Sequence, residues 1–148
     1  MHKWQQAVLK AQTLPPGHYG HAIAKAMVQD EYEACHRLTR GFRGSCTPQE
    51  AARICGLICQ ALMLPKVKRI VLCSPDVHST SMAHYCNKEI HFAGEWIALS
   101  TLLHELGHHV HRCGGFTGRS NSHGPEYCEA LGLCLEAYKD CKIQYELS

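Results

Sequence analysis

The chain has 148 residues, 45% of them hydrophobic and 19% charged, which suits one globular domain with a real core and leaves no comfortable room for a second. A formal charge of +2 with histidines neutral excludes a strongly basic nucleic-acid binder. No run approaches the roughly eighteen apolar residues of a membrane helix, and no secretory apolar core follows Met1, so a soluble, cytoplasmic protein is expected.

In chain order, residues 3–12 read as a short helix that Thr13-Leu14-Pro15-Pro16-Gly17 interrupts, which makes 1–20 a lead-in to a domain over 21–148. Residues 21–39 read as a longer helix with Ile23, Met27, Cys35 and Leu38 inward, ended by Arg40-Gly41-Phe42-Arg43-Gly44. Thr47-Pro48-Gln49-Glu50 supplies a capping hydroxyl, a first-turn proline and a reciprocal glutamate, starting a helix that reaches about Met63 before Pro65 stops it. Val67, Ile70 and Val71 predict a strand over 67–73, closed by Ser74-Pro75-Asp76. Segments 83–86 and 89–92 flank Asn87-Lys88 as a two-residue hairpin, with Ile90 and Phe92 inward and Glu89 and His91 outward.

The next segment carries chemistry. In Leu102-Leu103-His104-Glu105-Leu106-Gly107-His108-His109-Val110, residues four apart share a helix face, so His104 and His108 can ligate one ion with Glu105 beside the open coordination position. Twelve histidines raise the odds of an accidental H-E-x-x-H to about 5%, but the flanks argue for design. Leu99, Leu103, Leu106 and Val110 recur at helical spacing, and the histidine pair lies beside that buried stripe. Gly107 is unfavourable within a helix; a close approach over the metal or helix-to-helix packing would explain it.

A catalytic zinc normally keeps three protein ligands. His111 shares the face of His104 and His108 but lies about 10 Å from His104 along the axis, too far to close a tetrahedron. His123 is better placed, because the small and polar residues of 112–122 can end the helix and turn the chain back, and Pro125 opens a new helix with Glu126 and Glu129 at its positive end. Those two glutamates are the competing ligands.

His104-Glu105-Leu106-Gly107-His108 followed by His123-Gly124-Pro125-Glu126-Tyr127 resembles the SprT-like (Spartan-type) metalloprotease domain, over about residues 66–140 in motif and order. The resemblance implies that His104, His108 and His123 bind Zn2+, that Glu105 is the catalytic base, and that proteins are the substrate class. Members typically cleave proteins attached to or near DNA; longer members add a zinc ribbon, whereas these residues contain no C-x-x-C pair. The run Thr101-Leu102-Leu103-His104-Glu105-Leu106-Gly107-His108 is also similar to the ImmA/IrrE peptidases, which act on repressors and take a glutamate as third ligand. The expected fold is a small zincin-like α+β domain, its short and mostly antiparallel sheet packed against the H-E-x-x-H helix and neighbouring helices.

Bound zinc would lower the pKa of its water to roughly 7, with Glu105 expected to accept the proton and later pass it to the leaving amine. Tyr127, His109, His111, Arg119 and Tyr85 are the candidates for steadying the oxyanion. An exposed sheet edge beside the zinc helix would bind an extended protein or peptide substrate by strand addition. Lys66-Lys68-Arg69 and Arg37-Arg40-Arg43 could meet DNA phosphates, although such groups are commonly solvated surface. His18, His21, His36, His78, His84 and His91 have no ligand spacing.

Ten cysteines would suggest disulfides in a secreted protein, but Cys55, Cys59, Cys73, Cys128 and Cys134 fall in apolar stretches, where reduced cysteine acts as a small core residue. Cys55 and Cys59 share a helix face that could serve a second metal, and Cys113 is expected to be the most accessible. Two function classes follow: a zinc endopeptidase, and a non-catalytic zinc-dependent binding or regulatory protein.

Overall fold

The computed structural model describes residues 39, 41–78, 81–116 and 125–147, so the expected lead-in and the helices over 3–12 and 21–39 lie outside the described residues, apart from Thr39. The order is β1 (Ser45–Cys46), α1 (Pro48–Ala61), β2 (Arg69–Val71), β3 (Ala83–Cys86), β4 (Glu89–Phe92), β5 (Ile97–Ala98), α2 (Leu99–Cys113) and α3 (Pro125–Leu147), an α+β arrangement. Among the described residues no helix is long and apolar enough to cross a membrane.

Helix α1 begins where its capping chemistry requires. Thr47 Oγ1 accepts from the Glu50 amide at 3.1 Å and the Thr47 amide donates to Glu50 Oε1 at 3.4 Å, a reciprocal capping box followed by Pro48 in the first turn. Its far end closes as a Schellman turn: Leu64 N–H donates to the Cys59 carbonyl at 2.8 Å and Met63 N–H to that of Gln60 at 3.2 Å. Met63 takes φ 57°, the left-handed conformation usually given to glycine at this position, and Pro65 prevents the helix from resuming.

The sheet order is β2-β4-β3, and a separate ladder pairs β1 with β5. The hairpin forms as its sequence dictates: β3 and β4 are antiparallel, and both turn residues have positive φ (Asn87 51°, Lys88 63°), as a type I′ turn demands. Strand β2 departs from expectation. It is shorter than 67–73, because Cys73 at φ 49° turns the chain out of extended geometry, and it pairs with β4 in parallel. The chain re-enters the sheet at β3 near the end where β2 left it, so β4, running back, points the same way as β2.

The ladder of β1 and β5 brings together the entrances of α1 and α2, with Ser45 opposite Ala98 and Cys46 opposite Ile97. Among the described residues, helix α2 packs most extensively against α3 and also against β3 and α1. The core joins Cys55, Ile58 and Cys59 of α1, Ile90 and Phe92 of β4, the leucines of α2, and Tyr127, Leu131 and Cys134 of α3. Each fully buried Leu or Ile side chain contributes about 1.5–3 kcal/mol of transfer free energy, so α2 is fixed mainly by its apolar face.

Candidate metal centre

The leucines of α2 decide where its histidines go. Leu99, Leu102, Leu103, Leu106 and Val110 are buried, which leaves His104 and His108 half-buried along the border of the apolar face, on successive turns. Their ring centroids are 5.2 Å apart with planes at 74°. Two imidazoles presented this way from one rigid helix suit two corners of a tetrahedral zinc site. Glu105, between them in sequence, is 8% exposed, and burial pushes its carboxyl up to about 7.

Helix α3 closes on this pair. Tyr127, from its first turn, stacks on His108 with centroids 4.3 Å apart and planes at 27°, lies 5.4 Å from the His104 ring, and donates its hydroxyl to the His104 carbonyl at 2.9 Å. Gly107 now has its reason. A Cβ there would sit 3.1 Å from Leu131 Cδ1 and 3.2 Å from Tyr127 Cε2, tighter than ordinary contact, so the packing of α3 against α2 favours glycine.

The third-ligand candidates divide. His123 lies outside the described residues, as does Arg119. Glu126 turns to His111, with Oε2 3.3 Å from Nε2, and Glu129 is partly buried on α3. Among the described residues no three His, Cys, Asp or Glu side chains form a metal-sized group. The donor chemistry of His104 and His108 fits zinc as two of its ligands.

Two of the proposed oxyanion donors are instead tied to each other. His109 is 0% exposed; its Nε2–H donates to the Pro65 carbonyl at 2.7 Å, and its Nδ1 accepts from the Tyr85 hydroxyl at 2.7 Å. Burial pushes the imidazole down and the phenol up, so both are held neutral. Tyr127 is likewise buried and points its hydroxyl at backbone, and His111 faces Glu126.

The sequence reading missed the bridge from His109 to Tyr85 and Pro65. A signal for it existed: His109 falls in line with Leu102 and Leu106, and a histidine on an apolar helix face is usually a hydrogen-bonded core residue. It also placed His91 outward, whereas His91 is 3% exposed. Ser74 Oγ lies 2.7 Å from His91 Nδ1 and Glu89 Oε1 3.1 Å from Nε2, with Arg69 in turn bonded to Glu89, so two polar partners make its burial tolerable.

Among the cysteines, Cys55, Cys59 and Cys134 are free thiols in the core, and burial pushes the Cys55 thiol up to about 12. Cys73 is exposed and Cys113 only partly so, the reverse of expectation, because the left-handed turn at Cys73 carries its side chain out of the apolar run. Lys66, Lys68 and Arg69 line one cleft of about 210 Å³ against α1, Arg43 is exposed, and Arg37 and Arg40 lie outside the described residues. Comparison of the chain with protein-family models, with curated proteins and with solved structures finds no match.

Proposed function

We propose that this chain is a zinc-dependent endopeptidase of zincin-like architecture, acting on protein substrates in the manner its SprT-like sequence motif implies. The observation that carries the reading is the pairing of His104 and His108 on successive turns of α2, ring centroids 5.2 Å apart, with a buried glutamate between them in sequence. His104, His108 and His123 would hold the ion. The engagement of Glu126 by His111 supports an imidazole over that carboxylate as third ligand. Bound zinc would supply Lewis acidity toward the scissile carbonyl and the attacking water.

The chain's own residues do the rest. Glu105, its carboxyl raised toward neutrality by burial, accepts the proton of the attacking water and returns it to the leaving amine. Strand β3 packs against α2 and, among the described residues, pairs with β4 alone, so its other edge offers backbone groups to an extended peptide. Such an edge selects unfolded segments and loops over compact surfaces. Lys66 and Lys68 could bring the enzyme to DNA-associated substrates.

The test incubates zinc-loaded protein with an unstructured protein, with and without single-stranded DNA, beside Glu105→Gln. Wild type is expected to cut, and the variant to retain zinc while losing about 10²–10⁴-fold in rate. Equal cleavage by both forms would remove Glu105 from the mechanism. Zinc binding without cleavage in any condition would identify a binding or regulatory protein.

A further inference from the structure

Tyr127 touches both imidazoles of the candidate metal pair, and it does so from a different helix. Its ring is 0% exposed and lies flat against His108, 4.3 Å between centroids at 27°, while tilting at 54° to the His104 ring 5.4 Å away. The hydroxyl donates to the backbone carbonyl of His104 at 2.9 Å, which fixes the tyrosine along α2 as well as across it. Room for the ring comes from Gly107, where a Cβ would come within 3.2 Å of Tyr127 Cε2 and 3.3 Å of its hydroxyl.

We infer that Tyr127 is the positioning residue that sets the ring planes of His104 and His108 before the metal arrives. The inference rests on the zinc reading above. A histidine on a helix turns about its terminal torsion over a broad range. An aromatic ring stacked on one face of His108 narrows that range, because rotating the imidazole would drive its edge into the tyrosine plane. His104 is held differently: Nδ1 is shut off from solvent, and the tyrosine meets its ring obliquely. A tyrosine that filled the core and only satisfied the His104 carbonyl would affect stability, not zinc affinity, when replaced by an apolar side chain. One that orients ligands is replaceable only by another ring.

Zinc affinity should therefore separate three variants of the full chain, measured by competition with a chromophoric chelator at a temperature where all are folded by circular dichroism. Tyr127→Phe keeps the ring and should bind within about threefold of wild type. Tyr127→Met fills the space without a ring and should bind about 10–100-fold more weakly, the usual loss when an outer support of a metal ligand is removed. Leu135→Ala, two turns along α3 in the same core, should lower the melting temperature with unchanged affinity.

The metal-free wild type supplies a readout that needs no variant. Its His108 ring protons should already show the upfield ring-current shift of a stacked imidazole in proton NMR. Random-coil His108 ring shifts in the folded apoprotein, or Tyr127→Met binding zinc as wild type does, would overturn the positioning role alone. Failure of the wild type itself to bind zinc would overturn the zinc reading with it.

Discussion

His108 and His109 are neighbours in the chain and opposites in surroundings. His109 has no exposed surface and spends both ring nitrogens on fixed partners, Tyr85 in β3 and the Pro65 carbonyl after α1. His108 is half-buried at the border of the apolar face, with the flat of its ring stacked against Tyr127 of α3. One histidine ties α2 to the sheet and to the end of α1; the other stacks against α3. The contrast teaches that histidine count carries little information in this chain, whereas the surroundings of each ring separate a core anchor from a candidate ligand.

The sharpest way to break this contrast is to delete the two rings separately. His109→Leu strands the Tyr85 hydroxyl and the Pro65 carbonyl in the interior, and should cost about 3–4 kcal/mol in urea unfolding. His108→Gln removes a partly exposed ring and should cost metal-free protein no more than about 1 kcal/mol while abolishing stoichiometric zinc binding. Reversed rankings, with His108 the more damaging to metal-free stability, would dissolve the distinction. Tyr85→Phe sharpens it: His109 Nδ1 loses its donor, and unfolding should become easier by about 1–2 kcal/mol without a change in zinc stoichiometry.

Local chemistry was legible wherever one segment determined it. The capping box at Thr47, the stop at Pro65, the Asn87-Lys88 hairpin and the apolar stripe of α2 each follow from residues within a few positions of one another. What was not legible depends on partners distant in sequence. His91 alternates as an outward strand residue should, yet Ser74 and Glu89 allow it inside. The parallel pairing of β2 depends on where the chain re-enters the sheet, which periodicity does not encode. Gly107 announced a constraint but not its source, because Tyr127 and Leu131 come from α3. The H-E-x-x-H pair was readable from spacing alone; its buttress was not.

The same contrast between buried and exposed ties predicts effects of smaller size at two surface sites. Met63 is 92% exposed and holds φ 57° as the left-handed residue of the α1 Schellman turn, so its side chain contributes almost no burial while its Cβ is strained. Met63→Gly should relieve that strain against a more flexible unfolded chain, leaving a net gain of about 0.5–1 kcal/mol in urea unfolding. A loss of stability there would mean that Met63 packs on something at the exposed end of α1.

Glu89 offers the pH-dependent case. The Arg69 guanidinium first, and His91 second, hold its carboxyl below the usual glutamate range. A carboxyl with a depressed pKa in the folded state stabilises the fold at pH values above its unfolded pKa and loses that contribution as pH falls through the folded value. The stability difference between wild type and Glu89→Gln should therefore be present at neutral pH and shrink as the pH falls through the folded value, with high salt weakening the Arg69 part. Because His91 is buried against Glu89 whereas Arg69 is exposed, a difference that persists in high salt at neutral pH assigns the remainder to the His91 hydrogen bond. A difference that salt removes entirely would make Glu89 a surface partner of Arg69 only, and would leave Ser74 as the contact that keeps His91 inside.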